Sequence, residues 1–336
     1  MFCKSAYKEI MRQYEIERER AGDLLAERRS KVYADIPRIK KIDEELSAAG
    51  IGLVKLLAAG GNDCEKNVSE LKSNSKKLSE EKARLMESNG VPENYFSDIF
   101  LCPECKDTGH INSGHETVRC RCLKQRLINV CYNLPNRKNL LETENFDTFT
   151  MKYYSDVLNE SEGLSPKENM KTIHKTALQF VKDFGVKFQN LLLYGDAGLG
   201  KTFLCNCIAR ALLEKERTVL YVTAPKIFKA VEDYRFNRDE MEEPDETIDM
   251  LYETELLILD DLGSEFATVV TGAALFDIIN ERLIMQKPTV ISTNLPPAEL
   301  HEQYSERVVS RIIGYYKVMK FFGDDIRVKK KLTGAR

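Results

Sequence analysis

Two different spacings of apolar residues divide this chain. From about residue 7 to residue 32 the sequence is almost free of glycine and proline and dense in Glu, Arg and Lys, which predicts one highly charged helix. Asp35-Ile36-Pro37 marks a restart, because proline suits the first turn of a helix. Ile36, Ile39, Ile42 and Leu46 then make a single stripe ahead of a break at Gly60-Gly61. A third helix carries Leu71, Leu78 and Leu85 at strict seven-residue spacing and ends at Asn89-Gly90. Narrow stripes on three helices predict a hairpin or small bundle with coiled-coil-like packing over residues 1–95. Past residue 172 the pattern changes to short, continuous apolar runs at 191–194, 218–223, 256–259, 289–293 and 317–322, with helical stretches between them. That alternation predicts an α/β domain over 172–336, a parallel five-stranded sheet covered by helices on both faces.

Candidate chemistry sits where these strands end. The first run leads into Gly195-Asp196-Ala197-Gly198-Leu199-Gly200-Lys201-Thr202, followed by a helix that starts near Phe203. Strand, G-x-x-x-x-G-K-[ST] loop and helix in that order define a phosphate cradle. Glycines let backbone N–H groups curl around phosphate oxygens, and the helix N-terminus adds partial positive charge. Lys201 is placed to reach the β/γ-phosphates of ATP, and the Thr202 hydroxyl to bind Mg²⁺. The run 255–259 ends in Asp260 and Asp261. Asp260 is placed to hold Mg²⁺, directly or through water. Asp261 projects one residue further, where it orients and deprotonates the attacking water, or else caps the turn before Gly263. The run 289–293 ends at Asn294, an amide able to contact that water or the γ-phosphate, though an ordinary turn residue if taken alone. Arg307 and Arg311 follow at i, i+4 spacing on one helix face, either as plain surface arginines or as an arginine finger offered to a neighbouring subunit.

The order of P-loop, LLILDDLGSE, VISTNLPP and ERVVSRIIG resembles the AAA+ ATPases of the DnaC/DnaI helicase-loader group, close relatives of the IstB-type transposition helpers. The similarity extends upstream through Phe146-Asp147-Thr148-Phe149 and downstream to Phe322-Gly323-Asp324-Asp325-Ile326-Arg327, covering about residues 102–327. It implies that Asn294 is the first sensor, Arg311 the arginine finger and Arg307 its companion. Arg327 is a looser match to a second sensor. Only 25 residues follow Arg311, too few for a full helical lid, and loaders share that shortened end.

Cysteine usage adds a second expected site. Cys102-Pro103-Glu104-Cys105 and Cys120-Arg121-Cys122 are separated by fourteen residues. Four thiolates satisfy a tetrahedral, structural Zn²⁺ site. The unusual C-x-C half keeps His110, His115 and Cys131 open as substitute ligands, and buried free thiols are the bland alternative. The resemblance supports zinc, since loaders of the DnaI type carry a zinc module ahead of the ATPase core. The expected plan is therefore a helical partner-binding region (1–95), a zinc module (96–135), a linker (136–171) and the AAA+ domain (172–336).

Net charge of −3 across 336 residues leaves no global attraction for nucleic acid, so any such binding falls to local patches. One candidate is the terminal run Arg327-Val328-Lys329-Lys330-Lys331 with Arg336. Another is 226–238, where Phe228, Tyr234 and Phe236 interleave with basic residues, a pattern that suits single-stranded DNA or equally one amphipathic helix. No apolar run approaches the eighteen residues needed to span a bilayer, and the charged start is no secretory signal, which predicts a cytosolic protein. The resemblance implies a hexameric replicative helicase and single-stranded DNA as partners, with ATP-dependent self-assembly. A transposase helper acting on duplex DNA is the alternative. A nucleotide-gated adaptor without turnover is a third reading.

Overall fold

In the computed structural model, which describes residues 2–59, 64–114, 116–131, 137–236, 246–266 and 268–332, internal contacts separate Met11–Thr108 from a second unit of Met1–Ile10 with Gly109–Arg336. Helices α1 (Phe2–Asp35), α2 (Pro37–Ala59) and α3 (Cys64–Ser88) follow the predicted breaks. Ile36 interrupts the first two, and Gly90 turns the chain after the third at φ +69°. The Gly60-Gly61 break lies outside the described residues. Ile39 and Ile42 are fully buried between half-buried Ile36 and Leu46. On α3, Leu71, Ser75, Leu78 and Leu85 are half-buried at alternating spacings of three, four and seven. The α2 and α3 stripes pack against each other along this narrow seam. Arg38 grips both oxygens of Glu81 at 2.7 and 3.0 Å, and Asp43 accepts from Lys82 at 2.5 Å and Tyr33 at 2.8 Å. A 3-10 turn, Glu93–Phe96, folds Tyr95 and Phe96 against the cluster of Val32, Ile39 and Met86.

From Gly109 onward the second unit contains the antiparallel ribbon β1 (His110–Ser113) and β2 (Glu116–Arg119), then α4 (Arg121–Cys131) and α5 (Arg137–Thr143). Helix α6 (Pro166–Asp183) starts inside the stretch expected to be linker. Ser165 and Glu168 form a reciprocal capping box there, and Pro166 needs no N–H at that position. The core continues as β3 (Asn190–Tyr194), α7 (Lys201–Glu214), β4 (Val219–Thr223), α8 (Ala224–Phe236), α9 (Glu246–Glu253), β5 (Leu256–Leu262), α10 (Val269–Ile284), β6 (Thr289–Thr293), α11 (Pro297–Gln303), α12 (Glu306–Tyr315), β7 (Tyr316–Lys320) and α13 (Ile326–Leu332).

Five parallel strands lie in the order β4-β5-β6-β3-β7. Because side chains alternate between faces, the apolar runs feed two cores at once. Leu192, Leu220, Leu257 and Ile291 join Ile227, Leu275 and Ile312 on one face, while Leu191, Leu193, Ile258 and Val290 join Ile173, Leu204 and Ile208 on the other. Buried Arg282 ties the strand entrances together by donating to the carbonyls of Leu251, Thr254 and Pro288 and to the Thr289 hydroxyl. The parallel five-stranded sheet covered by helices on both faces, as read from the sequence, is therefore the fold observed. Its order brings the carboxyl ends of β3, β5 and β6 side by side.

Candidate functional site

The P-loop crosses from β3 to α7, and Lys201 opens that helix with only 7% of its surface exposed. Its ammonium donates to the carbonyl oxygens of Gly195 at 2.6 Å and Asp196 at 2.8 Å, and to Asn294 Oδ1 at 2.6 Å. Burial lowers the pKa of Lys201 from the ordinary lysine value, while the carboxylates of Asp261, Asp196 and Asp260 pull it back up. Three oxygen acceptors around one ammonium are the environment that phosphate oxygens would also offer, so the donor set fits a polyphosphate. Asp196 and Ala197 are exposed at the loop's tip, and Leu199 is buried beneath it. Phe203 points away from that chemistry, with its ring 5.6 Å from Phe149.

Asp260 is 4% exposed and held from two sides, by the Tyr221 hydroxyl at 2.8 Å on Oδ2 and by the Ser292 hydroxyl on Oδ1. The Thr202 hydroxyl lies 3.3 Å from the same Oδ1. A hydroxyl beside a buried carboxylate is a hard oxygen pair that suits Mg²⁺. Asp261 has a left-handed backbone, φ +60°, where the β5–β6 register slips between Leu259 and Leu262. Such a conformation costs a non-glycine residue on the order of 1 kcal/mol or more. Neighbours hold it there: its N–H donates to Ser292 Oγ at 2.9 Å, and its Oδ1 accepts from Asn294 Nδ2 at 3.0 Å. Its carbonyl also accepts from the Ser264 hydroxyl at 2.8 Å, so the backbone makes the turn while the side chain faces Asn294. One hydrogen-bonded chain thus runs Lys201–Asn294–Asp261, and Ser292 ties the two aspartates together.

The arginines stand apart from this chain. Arg311 Nε donates to Asn280 of α10 at 3.0 Å, and its guanidinium lies 4.3 Å over the Phe276 ring. Arg307 is exposed, and Arg327 is exposed with Nε 3.5 Å from Asp325. On α8, Ile227, Phe228 and Val231 are buried while Lys226 and Lys229 are exposed. There the pattern is that of an amphipathic helix, and Phe228 offers no face to a base. Asn237 and Arg238 lie outside the described residues, as does Arg336.

The sulfurs of Cys102, Cys105, Cys120 and Cys122 all lie within 4.8 Å of one another. A Zn–S bond near 2.3 Å would put tetrahedral sulfurs about 3.8 Å apart, so the set fits that ion. Buried Asp107 shapes the first knuckle by accepting the N–H groups of Leu101 at 2.8 Å and Cys102 at 2.7 Å. Cys120 precedes α4 and donates its N–H to the Gly109 carbonyl at 2.8 Å. His110 is engaged with the Tyr7 hydroxyl at 3.3 Å, while His115 and the Cys131 side chain lie outside the described residues. Sequence reasoning missed Ser292, Tyr221 and Asp107. Tyr221 carried a weak legible signal, a hydroxyl amid the apolar residues of Val219–Val222, whereas Ser292 is one of three hydroxyl residues in β6 and does not stand out.

A parallel sheet with this loop defines a P-loop type of nucleotide-binding domain, and residues 164–316 match the family model described as the bacterial DnaA ATPase domain. The particular resemblance is to helicase loaders. The chain is 35% identical over 124 residues to the replicative helicase loader DnaI of Bacillus subtilis (strain 168), which is 36% of this chain and 39% of that protein. It is 27% identical over 136 residues to the replicative helicase loader DnaC of Escherichia coli (strain K12), 40% of this chain and 55% of DnaC. A putative insertion sequence ATP-binding protein, y4pL of Sinorhizobium fredii (strain NBRC 101917 / NGR234), is 26% identical over 147 residues, 41% of this chain and 56% of y4pL. The chain thus spans about half the length or less of the relatives it matches. The likeness to DnaC/DnaI-type AAA+ loaders, read from the motifs, is carried by these comparisons as well.

Proposed function

We propose that this chain hydrolyses ATP in order to place a hexameric replicative helicase on single-stranded DNA. The observation that carries the ATPase reading is the Lys201–Asn294–Asp261 chain at the ends of three adjacent strands. Lys201 would bind the β/γ-phosphates, and Asn294 would report whether the γ-phosphate is present. Asp261 would orient the attacking water and take its proton. Thr202 and Asp260 would hold Mg²⁺, which offsets phosphate charge when bound. Arg311 would serve a neighbouring subunit's nucleotide in an ATP-dependent homo-oligomer, with Arg307 as its companion.

The helical unit would grip the helicase, and a zinc ion would be held by Cys102, Cys105, Cys120 and Cys122. The loader reading is supported by the similarity to DnaI and DnaC together with the helical region and cysteine cluster ahead of the P-loop. The similarity to y4pL keeps a transposase helper on duplex DNA as the second reading. Co-purification decides between them. A stable complex with a hexameric replicative helicase, and ATP-dependent transfer of that helicase to single strands, is the expected result. Selective assembly on duplex DNA with a transposase would overturn it.

A further inference from the structure

The P-loop is held from outside by two segments far from it in sequence. Phe321 N–H donates to the Tyr194 carbonyl at 2.7 Å, Ile326 N–H to the Gly198 carbonyl at 2.9 Å, and the buried Tyr154 hydroxyl to the Leu199 carbonyl at 3.1 Å. A trans peptide is planar, with C=O and the following N–H pointing in opposite directions. Pinning these three carbonyls outward therefore aims the N–H groups of Gly195, Leu199 and Gly200 the other way, toward the concave side of the loop. Anion-binding loops depend on that orientation, and a flipped peptide would present a carbonyl to a phosphate instead.

Close packing reinforces the hydrogen bonds. A Cβ on Gly198 would lie 2.1–2.3 Å from the Asp325 carboxylate, and one on Gly200 would lie 2.7 Å from the Tyr154 hydroxyl. Asp325 is in turn fixed by accepting the N–H groups of Arg327 at 2.7 Å and Val328 at 3.4 Å. The two holding segments also touch each other. Lys329 donates to the Tyr153 carbonyl at 3.1 Å and pairs with Asp324 at 2.8 Å, and Lys330 lies over the Tyr153 ring at 5.5 Å.

We infer that Tyr154 and Asp325 are positioning residues of an external brace, formed by residues 153–154 and 321–330, that pre-sets three P-loop peptide planes for phosphate. This rests on the ATPase reading above, in which neither Tyr154 nor Asp325 has a role. Linkage makes the effect reciprocal: a brace that favours bound nucleotide is itself held more firmly when nucleotide is bound.

Tyr154→Phe removes only the hydroxyl, Asp325→Ala removes the carboxylate, and Asp325→Asn keeps an acceptor for Arg327 and Val328. Titration of the full chain with a fluorescent ATP analogue should show affinity weakened roughly five- to tenfold by each of the first two changes, as expected for one lost hydrogen bond. The third should stay near wild type. In steady-state assays the loss should fall on KM, with kcat changing much less. Hydrogen exchange across 321–332 should slow when ATP is added to the wild type, and slow less in Tyr154→Phe. Wild-type affinity in both Tyr154→Phe and Asp325→Ala, with folding intact by melting, would overturn the brace. Absence of any nucleotide binding by the wild-type chain would instead overturn the ATPase reading beneath it.

Discussion

In the unit Met11–Thr108 the apolar seam is narrow, and among the described residues Val32, Ile39 and Met86 form one small buried cluster, with Tyr14 and Ile42 buried as well. In the sheet unit, Leu191, Leu192, Leu193, Leu257, Ile258 and Ile291 are covered on both faces of one layer. The difference governs what each can hold. A close-packed layer sustains a buried carboxylate (Asp260), a left-handed aspartate (Asp261) and a buried arginine (Arg282), because surrounding packing and hydrogen bonds offset each cost. In the helical unit the comparable case is Asp107, buried and left-handed at φ +56°, whose carboxylate is held by the N–H groups of Leu101 and Cys102. The unit also leaves Leu24, Ile51 and Val54 substantially exposed and carries ion pairs at its surface such as Arg38–Glu81.

The sharpest way to break this contrast is at the P-loop. Lys201→Ala should abolish both tight ATP binding and hydrolysis, whereas Asp261→Asn should bind ATP and lose turnover by roughly a thousandfold. Tight binding by the former or normal turnover by the latter, measured side by side, would undo the division of labour within the sheet.

Next in size is Arg311→Ala, expected to bind ATP normally and hydrolyse it about a thousandfold more slowly. Mixing it with Lys201→Ala should restore partial activity, because some interfaces then pair an intact P-loop with an intact arginine. No recovery under conditions where wild type self-associates would leave Arg311 as a strut on Asn280 and Phe276.

Metal analysis tests the cysteine cluster. One zinc per chain is expected, and Cys120→Ser combined with Cys122→Ser should lose it. Undiminished zinc in that variant would remove the site.

The helical unit is tested by Ile39→Ala, which should destabilise it by about 2–4 kcal/mol, enough to melt its hairpin by circular dichroism. ATP binding by the sheet unit should survive. Parallel loss of both would show that the two units are not separable. Smallest of all, Arg38→Ala should leave the unfolding midpoint unchanged within error, since exposed ion pairs contribute little. A clear drop would mean the hairpin depends on its charges more than on its seam.

Local backbone chemistry was legible in the linear order of residues. Glycine spacing, an apolar run ending in paired carboxylates, a strand ending in Asn294, two cysteine pairs and a seven-residue leucine repeat each need only neighbours along the chain to be read. Strand identity followed for the same reason, because double-faced burial leaves continuous apolar runs. What the tertiary structure decided is every relation that crosses the sheet. Residues 201, 261 and 294 meet only because β6 lies between β3 and β5. Ser292 joins two aspartates across a register slip that no periodicity announces. Arg311 rests on α10, and Phe228 turns inward on α8, because of which helix packs against which strand. Tyr154 and Asp325 reach the P-loop from 45 and 127 residues away in numbering from Leu199 and Gly198. Such contacts depend on strand order and pairing register, which arise from the packing of the whole domain rather than from any local stretch of the chain.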